Sequence, residues 1–209
     1  MPEESVGRRS AQTALFHITH AFVRWIAPIL SFTADEIWEF IPGDKSSSIF
    51  IETWYEKLES LGNKKSLFDL AQWQKIMLIR TACNKEMEQL RAEQKLGSTL
   101  EANIVLYADK ENFKLLSKLE DELRFVLITS QASALPIDKI DQADAKTKDA
   151  DGIAGIKISV TAVSDSKCER CWHRREDVGG DKNHPTLCQR CIVNISDDNN
   201  STGENRKFA

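Results

Sequence analysis

Residues 167–195 read KCERCWHRREDVGGDKNHPTLCQRCIVNI, and their cysteine spacing decides how the last domain of the chain is built. Two Cys-x-x-Cys units, Cys168/Cys171 and Cys188/Cys191, stand there with sixteen residues between the inner cysteines. A Cys-x-x-Cys can fold into a tight turn that aims both sulfurs at one ion, so two such turns supply the four thiolates of a tetrahedral zinc site. Four thiolates also close the coordination sphere. A catalytic zinc keeps one position open for water, so this unit reads as a structural four-cysteine zinc ribbon or knuckle with one Zn2+. The alternatives are a disulfide pair or a redox Cys-x-x-Cys. Neither motif opens a helix after a strand, as a thioredoxin-like site would. His173 and His184 could each replace a cysteine sterically, but with four thiolates present both are expected outside the ligand set.

Arg170, Trp172, His173, Arg174 and Arg175 cluster on the first knuckle. A tryptophan fixed beside a metal and flanked by guanidinium groups can stack on an unpaired base while the arginines contact phosphates or base edges. The plainer reading is that Trp172 covers the knuckle as a miniature core and the arginines are solvated. Glu169, Glu176, Asp177 and Asp181 dilute the positive field, and both readings stay open on the residues alone.

Outward from this segment, the chain has 209 residues, is 41% hydrophobic and 29% charged, and carries a formal net charge of −4. That length holds one large or two small domains with a real core. The charge balance gives no global signal for nucleic acid, so any such binding must come from a local patch. No run of about 18 apolar residues exists, and the N-terminus lacks an apolar stretch after its basic residues, so neither a membrane span nor a signal peptide is indicated. The expected compartment is cytoplasmic, where thiols stay reduced and zinc is favoured over disulfides. The Asn-x-Ser/Thr triplets at Asn194, Asn199 and Asn200 are then irrelevant to glycosylation.

From the N-terminus, Ala11, Leu15, Ile18, Phe22, Trp25, Ile26 and Ile29 fall within an arc of about 100° at helical spacing, with Arg9, Thr13, His17, His20 and Arg24 opposite. This predicts an amphipathic helix from roughly Val6 to Ala27, interrupted at Pro28. Thr33-Ala34-Asp35-Glu36 has the capping-box pattern and predicts a second helix that stops before Pro42-Gly43. A long periodic run from Leu67 to Leu96 places Trp73, Ile76, Cys83, Met87 and Leu90 on one face, and Cys83 there reads as a buried structural thiol. The fold class is therefore mainly α: an antiparallel helical bundle over residues 1–96 in which the apolar stripes bury one another. After Gly97 the pattern changes. Leu100 to Tyr107 and Ile153 to Val163 read as strands and Glu111 to Phe125 as a helix, predicting a small α+β connector over residues 97–163. The Asp- and Lys-rich stretch Ile137 to Asp151 reads as a loop, residues 164–195 as the zinc unit, and residues 196–209 as a polar mobile tail.

His17-Ile18-Thr19-His20 invites comparison with a His-x-Gly-His nucleotide-binding signature, but β-branched Thr19 stands where glycine would allow close approach. There is no Gly-rich phosphate loop, no GxSxG and no His-Glu-x-x-His. The sequence carries no catalytic constellation of its own.

The run RRSAQTALFHITHAFVRWIAPILSFTADEIWEFIP, followed by WYEKL, resembles the anticodon-binding helical domain of bacterial isoleucyl-tRNA synthetases, class I aminoacyl-tRNA synthetases. DELRFVLITSQA, the segment KCERCWH...LCQRC and the terminal RKFA resemble the C-terminal part of the same enzymes. The likeness runs from about Gly7 to Ala209 and is weakest over Ile137 to Asp151. It implies a fragment: the parent activity is ATP-dependent attachment of isoleucine to its tRNA, with ATP bound only in a catalytic domain this sequence does not contain, so the fragment itself is expected to be catalytically inactive. By resemblance Cys168, Cys171, Cys188 and Cys191 are the zinc ligands, and Arg170 and Trp172 contact the anticodon loop, with His173 and Arg174 as neighbouring nucleic-acid contacts. The implied partners are a tRNA with an isoleucine anticodon and the remainder of the synthetase chain, with no membrane and a monomeric state. Other readings of the same residues are a stand-alone zinc-ribbon RNA-binding module and a structural zinc domain for protein contacts.

Overall fold

Helix α1 spans Val6–Ile26 and starts at Ser5, whose hydroxyl accepts the Arg8 N–H at 3.3 Å. Pro28, which has no N–H to donate, follows its end. The chain is described by a computed structural model over residues 5–58, 67–140 and 147–195. The described residues divide into two compact units, one up to residue 58 and one from 67 to 195.

In the first unit, α2 spans Ser31–Phe40, two residues earlier than the Thr33 capping pattern predicts. The turn after Pro28 explains the difference. Ile29 and Leu30 both donate to Ile26 O, Ser31 Oγ donates to Ala27 O at 3.0 Å, and Ala34 N–H donates to Leu30 O at 2.9 Å. Thr33 is thereby already inside the helix. At the far end Lys45 Nζ donates to the carbonyls of Trp38, Glu39 and Ile41, a cation placed where the helix carbonyls lack partners. The core of this unit is Val23, Ala27, Ala34, Trp38, Ile41 and Ile49.

The apolar stripe of α1 is not the buried face. Leu15, Ile18, Phe22, Trp25 and Ile29 are exposed, Ile29 to 80%, while His20, Ala21 and Val23 are buried. Periodicity identifies residues that share a face but not what covers that face, and the described residues do not bury this one against another stripe.

The second unit opens with α3, Leu70–Ala92. Its N-terminus is a reciprocal capping box: Asp69 Oδ1 accepts Gln72 N–H at 2.7 Å and Gln72 Oε1 accepts Asp69 N–H at 3.2 Å. Ile76, Ile79, Ala82, Cys83 and Met87 form its buried side, and burial pushes the Cys83 thiol up to about 12, as expected for an inert structural cysteine. Helix α5 (Leu123–Leu127) and strand β4 (Ile156–Ala162) pack against α3.

The sheet has the order β2-β1-β4-β3, with β1 at Ala102–Ala108, β2 at Gln131–Pro136 and β3 at Lys148–Asp149. β1 and β2 are parallel, whereas β4 is antiparallel to both β1 and β3. A parallel pair needs a crossover, and this one passes through α4 (Lys110–Leu116), a 3-10 segment and α5. The single helix predicted over Glu111 to Phe125 is thus broken, and Glu120 at φ 47° and ψ −132° is the break. Ala102, Ile104, Leu106 and Ala108 alternate inward along β1, as a half-buried strand should. Strand β2 has no counterpart among the strands expected from the sequence. The expected loop over Ile137 to Asp151 contains a 3-10 turn at Ile137–Lys139 and β3, its residues 141–146 lying outside the described residues, as does the expected tail.

Helices supply about half of the described residues, beside one small four-stranded sheet and a four-cysteine cluster. Among the described residues no helix is long and apolar enough to cross a membrane.

Candidate metal centre and nucleic-acid interface

The first knuckle is a hairpin. Lys167 and Arg174 form an antiparallel bridge, Cys168 N–H donates to His173 O at 2.9 Å, and Trp172 N–H donates to Cys168 O at 2.8 Å. The second is a turn entering α6 (Gln189–Ile195), with Cys191 and Ile192 donating to Cys188 O. The two turns bring the sulfurs of Cys168, Cys171, Cys188 and Cys191 within 4.8 Å of one another. Cys171 Sγ lies 3.7 Å from Cys188 Sγ. Four sulfurs held tetrahedrally at the usual Zn–S distance of about 2.3 Å stand about 3.8 Å apart, close to the Cys171–Cys188 separation and within the spread of the cluster, so the four cysteines suit a zinc ion. None of these cysteines is in a disulfide.

The surroundings favour thiolate at some sulfurs and oppose it at others. Burial works against ionisation of Cys168, but backbone N–H donors around its sulfur outweigh that and bring it down to about 6. Burial pushes Cys171 and Cys188 up. Arg170 Nη1 donates to Cys191 Sγ at 3.7 Å. A zinc ion held by the four cysteines would offset part of the thiolate charge and cross-link the two turns.

Trp172 stands at φ 66°, in the left-handed region, and is 60% exposed. A non-glycine residue pays about 1–2 kcal/mol for that backbone. The apolar side chains packed against the cysteine cluster are Val178 and Leu187, so the knuckle's miniature core is built without Trp172. Its ring instead meets Lys167, whose Nζ lies 5.2 Å from the ring centre. Arg170 is also exposed.

His173 and Arg174 are placed differently from their neighbours. His173 is buried, its Nδ1 3.2 Å from Cys171 O, and burial together with Arg124 and Arg190 holds its pKa down. Arg174 is committed inward: its guanidinium donates to Glu101 Oε1 at 2.7 Å and Asp165 O at 3.1 Å, and its N–H to Ser130 Oγ at 2.6 Å. These bonds tie the zinc unit to the residues before β1 and β2. The knuckle therefore leaves Trp172 exposed, keeps Arg170 at the surface with one guanidinium nitrogen on Cys191 Sγ, and turns His173 and Arg174 inward.

With this geometry established, residues 1–106 match the family described as the anticodon-binding domain of tRNA ligase. The chain belongs to that family. Residues 165–193 match a second family, described as a zinc finger found in FPG and IleRS. That match and the four-sulfur cluster agree on one structural zinc. The chain is 49% identical over 206 residues to an isoleucine--tRNA ligase of Shewanella amazonensis, and 49% identical over 206 residues to that of Psychromonas ingrahamii. It is 46% identical over 208 residues to the enzyme of Shewanella putrefaciens. Each alignment covers 99% of this chain but 21% of the relative, so the chain spans about a fifth of their length.

Within the anticodon-binding domain, the polar side of α1, where His17, His20 and Arg24 were expected as surface or inter-helix residues, holds a network. Arg24 pairs with Glu52, donates to Thr53 O at 2.9 Å and His20 O at 2.8 Å, and lies over the rings of Trp38 and Tyr55. His17 Nδ1 is 2.7 Å from Tyr55 Oη. Burial and Arg24 lower the His20 pKa, so this histidine stays neutral and stacks on Tyr55. The network straps Tyr55 of the WYEKL segment onto α1, so His17 and His20 both have partners within this unit. The only advance signal is the clustering of Trp54 and Tyr55 after a turn-rich loop.

Proposed function

We propose that this chain is the C-terminal, anticodon-recognising part of an isoleucyl-tRNA synthetase, working in the cytoplasm as part of a monomeric enzyme that attaches isoleucine to its tRNA with ATP. In this reading the chain binds the anticodon arm and leaves catalysis to the remainder of the synthetase. Cys168, Cys171, Cys188 and Cys191 are the zinc ligands. The helices of residues 1–96 are read as an antiparallel bundle, and the division into residues 1–96, 97–163, 164–195 and 196–209 belongs to the same proposal.

One observation carries the recognition step: Trp172 is held exposed on a left-handed backbone beside the cysteine cluster. A ring that costs backbone strain and contributes nothing to the knuckle's core is suited to stack on a base splayed out of the loop. Arg170 stands beside it with donors for a base edge or phosphate, while Arg174 and His173 hold the hairpin that presents both. The RNA contact thus narrows from four residues to Arg170 and Trp172, with the other two positioning them. The test is binding of zinc-loaded chain to an isoleucine tRNA transcript, comparing wild type with Trp172→Ala. Equal affinity would return Trp172 to a structural role. The stand-alone RNA-binding and protein-contact readings have no separate observation in their favour.

A further inference from the structure

Lys167 directly precedes the first cysteine of the zinc unit, and its side chain meets an aromatic ring where a surface lysine commonly meets an acid. Its Nζ lies over the Trp172 ring, 5.2 Å from the centre. Its backbone is fixed by the antiparallel bridge to Arg174 that closes the hairpin carrying Trp172. Lys167 is exposed, and among the described residues its ammonium makes no hydrogen bond and no ion pair, so its three N–H donors are served by water. The arginines of the same hairpin are engaged. Arg170 reaches Cys191 Sγ, Arg174 pairs with Glu101, and Arg175 pairs with Asp177.

The ammonium covers one face of the ring. Among the described residues Trp172 has no other ring or cationic contact, and it lies outside the apolar packing of the cysteine cluster, which leaves the face away from Lys167 for a base. A base stacked there brings the phosphates of its strand alongside the ring. Lysine is a point charge on a flexible four-carbon stem, able to meet a phosphate without a fixed plane, and a cation over an exposed ring is held weakly enough to turn. The chain's formal net charge of −4 opposes a polyanion, so a cation without an acid partner beside the stacking ring is where a phosphate gains most.

We propose that Lys167 and Trp172 bind RNA as one unit: the base stacks on the ring face away from the ammonium, and the ammonium takes a phosphate of the same strand. The proposal rests on the tRNA-binding reading and extends it to a residue that no comparison assigns. Phosphate contacts carry no sequence information, so Lys167 contributes affinity and sets the face of the ring that is used, leaving base choice to Trp172 and Arg170.

The experiment measures the affinity of zinc-loaded chain for an isoleucine tRNA transcript across a salt series, with zinc content and thermal unfolding recorded in parallel. Wild type is compared with Lys167→Gln, Lys167→Met, Lys167→Arg, Trp172→Ala and the Lys167→Gln/Trp172→Ala pair. Both neutral variants should bind more weakly, with a salt slope shallower by about 0.7, the value for one phosphate of a single strand. Lys167→Arg keeps the wild-type slope because the charge is kept. Trp172→Ala loses affinity without changing the slope, and Lys167→Gln still makes the slope shallower in that background, because the phosphate attracts the ammonium directly. Wild-type affinity and slope in a folded, zinc-loaded neutral variant would overturn the proposal. So would weakening at an unchanged slope, or a slope change that disappears once Trp172 is alanine, since either would make Lys167 a prop for the ring. No binding by wild type would overturn the tRNA reading first, and this proposal with it.

Discussion

Arg174 Nη2 lies 2.7 Å from Glu101 Oε1, joining the zinc unit to the turn that leads into β1. Because Arg174 N–H also reaches Ser130, this residue fixes the orientation of the knuckle on the sheet and hence the direction in which Trp172 faces.

The pair has a pH signature. The Arg174 hydrogen bond holds the Glu101 carboxyl below its ordinary 4.5, against the opposing pull of burial. A carboxyl depressed in the folded state contributes stability above the unfolded value and loses it as pH falls through the folded one. Wild type is therefore expected to exceed Glu101→Gln by about 0.5–1 kcal/mol at neutral pH, a figure already discounted for the pair's partial exposure. The advantage should vanish progressively as pH drops below about 4.5. Chemical unfolding of both zinc-loaded proteins across pH measures it, since the metal's own proton linkage cancels in the difference.

Trp172→Gly separates stability from binding. Glycine relieves a left-handed cost of about 1–2 kcal/mol, offset by about 0.5–1 kcal/mol of chain entropy and a similar amount for the lost Lys167 contact. Thermal stability should stay near wild type, while tRNA affinity falls by about 1–3 kcal/mol, the usual worth of one stacking aromatic. Calorimetry and binding on the same preparations check both halves.

Gly155 sits at φ +75° with Asp109 so close that a Cβ would fall 1.9 Å from its Oδ2. Asp109 is the N-cap of α4, accepting Asn112 N–H at 2.9 Å. Gly155→Ala should cost about 2–3 kcal/mol, combining the left-handed penalty with a displaced cap. Urea unfolding gives the value directly.

Chelation should act locally. The zinc segment buries little beyond its cysteines, His173 and Ile192, with Val178 and Leu187 partly buried, so metal removal is expected to expose residues 167–195 to hydrogen exchange while β1 and β4 stay protected. Simultaneous loss of protection in the whole second unit would show that the metal stabilises more than its own segment.

Much of this was legible in the residues, and the misses have physical reasons. Ligand spacing is nearly a covalent constraint, so the cysteine cluster could be read directly. Helical periodicity located α1 and α3, yet it could not say that the polar side of α1 would be strapped by Tyr55 while Leu15 and Ile18 stayed outside. Strand β2 escaped because QASALP has no β-branched or aromatic residue, its apolar positions are mostly alanine, and it ends in proline. Its pairing with β1 holds it, a contact between segments far apart in sequence. Adjacency to the knuckle grouped Arg170, Trp172, His173 and Arg174 together, and the left-handed turn at Trp172 is what sorts them.

Anticodon recognition is tested most directly by the affinity of the zinc-loaded chain for an isoleucine tRNA transcript against the same transcript with its anticodon altered. Recognition through Trp172 and Arg170 predicts weaker binding to the altered transcript at every salt concentration, with a difference that shrinks in Trp172→Ala. Equal affinity of the wild-type chain for both transcripts would contradict it.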